Sequence, residues 1–253
     1  MAYTIKSPAT GVARSFREFR RRMKRLLLIA LPQAGPFFDR RTRNKLLTQL
    51  QGFDRINIGC GSNPMAGWLN VGLFADEDLP YGCTASTEDG AALLHFDATK
   101  GLPFPDNHLR YVYASHFIEH LEFADGVAFL KMCYKTMQKG GVIRLVLPDF
   151  GLWVEKYNRN DMEFFTRYKQ SYAILEKVPL KTRGEIFSAQ IHGFGHKWSY
   201  DLESIRDLML RAGFLNVSQK KAFESAMPDI EKVDVVDIER SAESIYIEGR
   251  KPE

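Results

Sequence analysis

The sequence predicts an α/β fold built on one mostly parallel sheet. Seven short segments have the length and the β-branched or aromatic content of strands. Segments with helical spacing alternate with them, and this alternation indicates an α/β sheet. Small or polar residues follow several of the segments, at the sheet edge where open α/β sheets bind ligands.

The first five strands are predicted between residues 55 and 147. Fewer than a dozen residues separate the first two, which is short for a parallel crossover. We therefore expect a compact turn there, or a shifted second strand. The five segments are Arg55–Gly59, Trp68–Leu73, Leu93–Asp97, Tyr111–Ser115 and Val142–Leu147.

Two helices and two further strands are predicted after residue 120. Apolar residues from Phe123 to Met137 recur at helical spacing, and we expect that helix to end at Gly140–Gly141. A second helix begins near Asp201 and ends at Gly213. The last two strands are Phe214–Gln219 and Ser244–Glu248. Residues 150–200, rich in aromatic and basic residues, are interpreted as an inserted lid over the sheet edge.

The positive charge of the chain lies in its first fifty residues. Residues 1–50 hold 12 Lys/Arg and 2 Asp/Glu, whereas the other 203 residues hold 23 and 29. Apolar residues recur among the arginines of residues 12–31, which predicts a basic amphipathic helix. Docking on the domain, peripheral membrane contact and a targeting peptide are three open interpretations. We expect a helical extension over 1–50 and one domain over 51–253.

Composition excludes several classes of protein. No apolar run approaches the roughly 20 residues that span a bilayer. The three cysteines are far apart and form no C-x-x-C pair, which rules out a disulfide framework and indicates a reducing, cytoplasmic setting. No nucleic-acid-binding motif accompanies the basic segment, so nucleic acid is not an expected partner.

A Gly-x-Gly turn follows the first predicted strand. Gly59 and Gly61 let the backbone come close to a ligand, as in many nucleotide sites. The third glycine of the dinucleotide fingerprint is missing, with Pro64 in its place, and the short crossover leaves no clean pyrophosphate cradle. A nucleoside without phosphates fits this turn better, and S-adenosylmethionine is the obvious one.

Several further motifs accompany that turn. They are Asn57–Gly61, Gly67–Val71, Asp97 with Leu102–Phe104, Ser115–Leu121, Lys139–Gly141 and Ala212–Phe214. As a set, over roughly residues 54–220, they resemble the class I S-adenosylmethionine-dependent methyltransferases, and more narrowly their type 11 branch. The resemblance implies a Rossmann-like seven-stranded sheet with helices on both faces, and methyl transfer as the activity.

The resemblance also implies which residues contact the cofactor. Gly59, Cys60 and Gly61 would lie along its methionine and ribose. Asp97 and Ala98 would lie at the adenine, where a carboxylate accepts from the exocyclic amine. Residues near the sulfonium would be Ser115 and His116. The full set of expected cofactor contacts is Asn57, Gly59, Cys60, Gly61, Ser62, Asp97, Ala98, Ser115 and His116.

One position departs from the family pattern. The family usually ends its second strand with an acid that holds both ribose hydroxyls, whereas this chain has Gly72 after Asn70–Val71. A weaker hold on the cofactor, replacement by Asp76 or Glu77, and loss of catalysis are the open explanations.

His116, Glu119 and His120 match the H-x-x-E-H motif of inverted zinc peptidases. Two such histidines share a metal when both lie on one helix. Because His116 closes a predicted strand and no clear third ligand follows downstream, we expect no metal site. The favoured interpretation of Glu119 and His120 is a helix start with local hydrogen bonds.

The acceptor side is predicted from two segments. Within His192–Tyr200, either His192 or His196 lies over the substrate pocket, or Trp198 and Tyr200 anchor the lid while His196 caps locally. Asp149 follows the fifth strand and either contacts the acceptor or caps the next helix. We count Asp149, His192, His196 and Tyr200 as substrate candidates.

Methyl transfer from a sulfonium depends mainly on alignment of the two reactants. A hydroxyl acceptor would also need a general base, for which His116 is the first candidate and His196 the second. We expect methylation, at oxygen, of a small-molecule, glycan or lipid-linked acceptor. The alternatives are a catalytically silent binding module and a nicotinamide-dependent oxidoreductase.

Overall fold

The structure is a computed structural model that describes residues 46, 48–61, 63–74, 79, 81–87, 90–234 and 242–253. Three sets of predicted features lie outside the described residues: the basic helix over 12–31, the cofactor candidate Ser62, and the acids Asp76 and Glu77.

One mixed sheet of eight strands organises the described residues, in the order β3-β4-β2-β1-β5-β6-β8-β7. The five strands from β4 to β6 in this order are parallel neighbours. Strand β3 pairs antiparallel with β4, and β8 pairs antiparallel with β6 and β7. The strands are β1 Arg55–Ile58, β2 Leu69–Gly72, β3 Thr84–Ser86, β4 Ala92–His95, β5 Leu109–Ser115, β6 Met137–Pro148, β7 Leu215–Lys220 and β8 Ser244–Arg250.

This sheet confirms the predicted α/β fold and adds one strand to it. All seven predicted strands are present. The extra strand, β3, has only three residues, which is too short to produce a recognisable alternation of polar and apolar residues.

A compact turn joins β1 to β2, as the short spacing predicts. Two buried asparagines hold it together, because the Asn57 side chain donates to Asn70 Oδ1 at 2.9 Å. The Asn70 amide also accepts from the backbone N–H of Met65 at 2.7 Å and donates to its carbonyl at 2.9 Å. The turn therefore obtains from side chains the hydrogen bonds that a crossover helix would form within its own backbone.

The helix after β5, α1 (Phe123–Thr136), ends earlier than predicted. The predicted stop at Gly140–Gly141 is wrong, because both glycines lie inside β6. Met137 already pairs with Leu109 of β5, and the register shifts before the next pair. A left-handed backbone at Gly140, with φ of 72°, accommodates that irregularity.

Residues 150–192 contain four helices, α2 Phe150–Asn158, α3 Met162–Ser171, α4 Ala173–Glu176 and α5 Arg183–His192. Three of them, α2, α3 and α5, share an aromatic cluster around the fully buried Trp153, which contacts Phe164, Phe165, Tyr168 and Phe187. Each ring buries a large apolar area, so these helices stabilise one another largely through this cluster. The boundaries of the lid remain a prediction.

Helices cover the sheet on both faces, as expected. Apolar residues of α1 and of α6 (Leu202–Arg211) join one core with Val112 and Ala114 of β5. The intervening Tyr113 joins a separate cluster with residues of α7 (Ile230–Val233). Successive side chains of a strand point to opposite faces, which explains why one strand contributes to both clusters.

Candidate active site

The carboxyl ends of the parallel strands bring most of the predicted site residues to one edge. Gly59 follows β1, Asp97 lies two residues after β4, Ser115 ends β5 and Asp149 follows β6. Because these strands are parallel neighbours in one sheet, their carboxyl ends meet at the same edge.

Both glycines of the Gly59-Cys60-Gly61 turn have left-handed backbones, with φ of 71° and 52°. A Cβ added at Gly59 would lie 2.7 Å from the Phe117 ring, so glycine is required there for packing as well. A Cβ added at Gly61 would meet no atom within 4 Å. Cys60 lies between them, and its burial raises the pKa of its thiol to about 12, which leaves it protonated.

Asp97 caps the start of the short 3-10 turn Ala98–Lys100. Its Oδ1 accepts from the backbone N–H of Thr99 at 3.0 Å and from the Thr99 hydroxyl at 2.7 Å. Within the described part of the chain, Oδ2 has no hydrogen-bond partner. One carboxylate oxygen thus holds the turn, and the other can accept from a ligand.

The cofactor candidate Asn57 has mainly structural contacts, and so does Gly72, where the family usually has an acid. The Asn57 side chain is 3% exposed and is used in the turn between β1 and β2. At Gly72, a Cβ would lie 3.3 Å from the Phe74 ring and 3.7 Å from Cys60 Sγ, so a larger side chain there would have to displace Phe74.

His116, directly after β5, also has a left-handed backbone, with φ of 49°. Its N–H donates to the Val146 carbonyl at 2.8 Å. Its imidazole lies between two polar side chains, with Nδ1 3.2 Å from Glu119 Oε1 and Nε2 3.2 Å from Ser244 Oγ. Burial opposes ionisation of Glu119, but the hydrogen bond and charge of His116, with the charge of His120, hold the pKa of Glu119 below its usual value.

Two further histidines, His120 and His196, lie near Glu119. The rings of His120 and His196 lie 4.9 Å apart in an edge-to-face arrangement. The segment that carries His196 is tied to Glu119, because the N–H groups of Lys197 and Trp198 donate to the Glu119 carbonyl at 2.8 and 3.1 Å. Burial is the main cause that lowers the pKa of His196.

The sequence did not reveal that His196 meets Glu119 and His120. All three residues had been noticed, but in two separate motifs more than seventy residues apart. Nothing in either motif indicates the backbone hydrogen bonds that join them.

The other acceptor-side candidates lie in different surroundings. Asp149 caps α2, accepting from the Leu152 N–H at 3.2 Å, and burial raises its pKa. His192 is exposed at the end of α5. Tyr200 is 1% exposed, and burial followed by the charge of Glu119 raises its pKa to about 12. Trp198 is 43% exposed, so Tyr200 is the buried residue of this segment.

Residues 56–145 match the model of a family described as "Methyltransferase domain". The matched stretch runs from β1 into β6 and includes the glycine turn, Asp97 and His116. These residues belong to a class I S-adenosylmethionine-dependent methyltransferase domain. The cofactor of the methyltransferase domain is S-adenosylmethionine, and the open space at Gly61 and the second oxygen of Asp97 fit it. No curated protein matches the chain.

Solved structures similar to this chain include three methyltransferases. A SAM-dependent methyltransferase from Archaeoglobus fulgidus is 18% identical, with a TM-score of 0.44; the match covers 83% of this chain and 94% of the other. Phosphoethanolamine N-methyltransferase 2 from Haemonchus contortus, in complex with S-adenosyl-L-methionine, is 12% identical, with a TM-score of 0.42. That match covers 87% of this chain and 55% of the other, so this chain spans about half of it. An S-adenosylmethionine-dependent methyltransferase from Mesorhizobium loti is 14% identical, with a TM-score of 0.40, and the match covers 83% of this chain and 96% of the other.

Among the described residues, no helix combines the length and the apolar character needed to cross a bilayer.

Proposed function

We propose that the chain methylates a hydroxyl group of a small-molecule, glycan or lipid-linked acceptor, with His116 as the general base. The observation that carries this proposal is the position of the His116 imidazole. It follows β5 at the ligand edge of the sheet, with Glu119 at one ring nitrogen and the Ser244 hydroxyl at the other.

These two contacts select one tautomer of His116. A carboxylate 3.2 Å from Nδ1 favours a proton on that nitrogen. Nε2 then carries the lone pair, and it already lies 3.2 Å from a hydroxyl, that of Ser244. An acceptor hydroxyl that reached Nε2 in the same way would give up its proton there. Glu119 is a positioning residue in this scheme, because it holds the His116 ring in this tautomer and orientation.

The cofactor supplies a methyl group that its sulfonium already activates. We propose that Gly59, Cys60 and Gly61 line its methionine and ribose. Asp97, with Ala98, would accept from its adenine, and Ser115 and His116 would lie at the transferred methyl. Holding two reactants in register can supply up to about 7–11 kcal/mol of the barrier reduction.

On the acceptor side, we propose that His196 and Asp149 line the site and that His192 contacts acceptors that extend beyond it. Tyr200 is buried, so it would stabilise the segment that carries His196 and would not contact the acceptor itself. His196 is the second candidate for the base, but in this structure its ring faces His120. The geometry therefore favours His116.

A cavity of about 270 Å³ supports an acceptor that offers both apolar and polar surface. It is lined by Phe164, Arg167, Tyr168, Gln170, Ser171, Ala242 and Glu243. Glu243 directly precedes Ser244, the residue whose hydroxyl lies at His116. For a lipid-linked acceptor, peripheral membrane contact through the basic residues 12–31 would bring the enzyme to its substrate.

Calorimetry and a methyl-transfer assay test the proposal. We expect the full chain to bind S-adenosylhomocysteine and to transfer labelled methyl groups to members of a panel of hydroxyl acceptors. His116→Gln should keep the affinity for S-adenosylhomocysteine and lose about 10²–10⁴-fold in turnover, whereas His192→Asn should retain turnover on the smallest acceptors.

Three results would contradict this assignment. Unchanged turnover of His116→Gln at saturating acceptor would remove the base. A wild-type chain that bound no S-adenosylhomocysteine would be a silent binding module, and one that bound NADH instead would be an oxidoreductase.

A further inference from the structure

Three metal-ligating side chains meet on the acceptor side of the site. One ligand atom each from Glu119, His120 and His196 lies within 4.8 Å of the other two. Two imidazoles and one carboxylate form the ligand set of many zinc sites that keep one coordination position open. The pair that meets is His120 with His196, and not the His116 and His120 pair of the sequence motif.

The carboxylate in this cluster lacks the partners that a buried charge needs. Glu119 is 2% exposed, and among the described residues neither of its oxygens has a well-aligned hydrogen bond. His116 Nδ1 lies at ion-pair distance from Oε1, and no described residue donates to the second oxygen. The buried Tyr200 hydroxyl also has no partner in the part of the chain that the structure describes. Buried polar groups normally have partners, and a metal ion bound here would give the Glu119 carboxylate one.

The backbone holds the ligands in place before any metal arrives. Glu119 and His120 lie in the short 3-10 turn Ile118–His120, and the two N–H groups that follow His196 donate to the Glu119 carbonyl.

A metal ion also has a route to the cluster. His120 is exposed, His196 is half-buried and Glu119 is buried, so the ligands run from solvent into the interior. An ion could exchange its water for His120 first and reach the carboxylate last. The three ligands would leave a tetrahedral ion one open position, for water or for an oxygen of the acceptor.

We propose that Glu119, His120 and His196 bind one divalent transition-metal ion, with zinc as the best match to the ligands. The ion would join the turn after β5 to the segment before α6. This would fix the acceptor side of the site while leaving the glycine turn and Asp97 free for the cofactor. The proposal does not depend on which acceptor is methylated or on His116 acting as the base.

Metal titration of the full chain tests the site directly. The protein would carry no affinity tag and would first be dialysed against a chelator. We expect one equivalent of Co²⁺ to give the visible absorption bands of a tetrahedral site, and Zn²⁺ to displace it. Calorimetry with Zn²⁺ should then give a stoichiometry of one.

Matched variants separate this site from adventitious binding. His196→Asn should weaken Zn²⁺ binding by more than about 100-fold, beyond the loss typical of an outer-shell partner, and Glu119→Gln should do the same. His192→Asn, four residues from His196 but outside the cluster, should bind Zn²⁺ like the wild type. Circular dichroism and S-adenosylhomocysteine binding would verify that each variant is folded.

The metal site would be refuted if the wild-type chain bound no Zn²⁺, or if a folded His196→Asn bound it as well as the wild type does. Either result would leave the His116→Gln comparison intact, because that comparison measures turnover. Conversely, the wild-type chain could bind one Zn²⁺ while the His116→Gln variant kept full turnover. That result would refute only the proposed base.

Discussion

At the scale of single residues, the site depends on backbone conformations that most side chains avoid. His116 is left-handed without being glycine, and such a residue costs of the order of 1–3 kcal/mol. Its backbone hydrogen bond to Val146 and the two contacts of its ring help to offset that cost. We interpret the strain as the means by which the imidazole is aimed along the ligand edge of the sheet.

Gly61→Ala should abolish most cofactor binding without unfolding the protein. The added Cβ would enter open space at the ligand edge, where we place the cofactor, and the left-handed backbone would cost about 1–2 kcal/mol. Gly90→Ala is the matched control, since its φ of 81° and open surroundings impose similar strain far from the site. Calorimetry should show at least about tenfold weaker S-adenosylhomocysteine binding, or 1.4 kcal/mol, for Gly61→Ala alone. Equal losses in both variants would contradict the placement.

At the scale of elements, capping residues determine where the helices start. Asp201 begins α6 by accepting from the Ser204 N–H at 2.8 Å, and the Ser204 hydroxyl donates to the same carboxylate at 2.6 Å. The hydrogen bond from the Ser204 hydroxyl has the larger effect and that from the Ser204 N–H the smaller, and together they hold the pKa of Asp201 below its usual value. The helix therefore begins where the sequence predicts it.

Asp201→Ala should cost about 0.5–2 kcal/mol of unfolding free energy at neutral pH. Because the folded state lowers the pKa of Asp201, the charge-dependent part of this stabilisation is present above the unfolded pKa of about 3.9. It is lost as the pH falls through the folded pKa. Urea unfolding at pH 7 and pH 3 should show a smaller difference between wild type and Ala at the lower pH. Asp201→Asn keeps the cap, so it should lose less than Ala at pH 7; an equal loss would argue against capping.

The sequence predicted the elements better than the contacts between them. Short runs of apolar residues located seven of the eight strands, because most of these strands are largely buried. It placed the end of α1 wrongly, because the pairing of Met137 with Leu109 is a long-range event that overrides the local glycine signal. The glycine turn and His116 are predicted as site residues from local motifs, and this remains a prediction. The meeting of Glu119 with His196 depends on the fold and could not be predicted from either motif.

At the scale of the whole molecule, one buried cation joins the last third of the chain to the sheet. Arg144 of β6 is fully buried and forms ion pairs with Asp234 at 2.5 Å and Glu248 at 2.9 Å. It also donates to the backbone carbonyls of Lys221 and Glu224. The sequence places Arg144 within an otherwise apolar strand but does not indicate its acidic partners, so this network was not predicted.

Arg144→Met should destabilise the protein by about 3–5 kcal/mol, because it leaves two carboxylates buried without their cation. Arg159→Ala removes an exposed ion pair with Glu155 and should cost no more than about 1 kcal/mol. Urea unfolding of both variants measures the difference. A loss below 1 kcal/mol for Arg144→Met would mean that the carboxylates find other partners or protons.

The basic segment over residues 12–31 should bring the full chain to anionic membranes. Replacing Arg20, Arg21 and Arg22 with Gln removes three charges, each worth about 1 kcal/mol near an anionic surface. We expect the affinity of this variant for phosphatidylserine vesicles, measured by co-sedimentation, to be about 100-fold lower than that of the wild type. Vesicles of phosphatidylcholine alone should bind neither the wild type nor the variant. Equal sedimentation of both proteins with the anionic vesicles would exclude this role.

The paired amides of Asn57 and Asn70 impose a rule on evolution as well as on folding. Asn57 and Asn70 are partners in the register of β1 and β2. Asn70 also exchanges two hydrogen bonds with the backbone of Met65 in the connection, so residues inserted or deleted around Met65 would leave buried polar atoms without partners. Homologous sequences that keep both asparagines should therefore align through this stretch without gaps. Length variation should appear instead in connections that no buried side-chain hydrogen bond holds together.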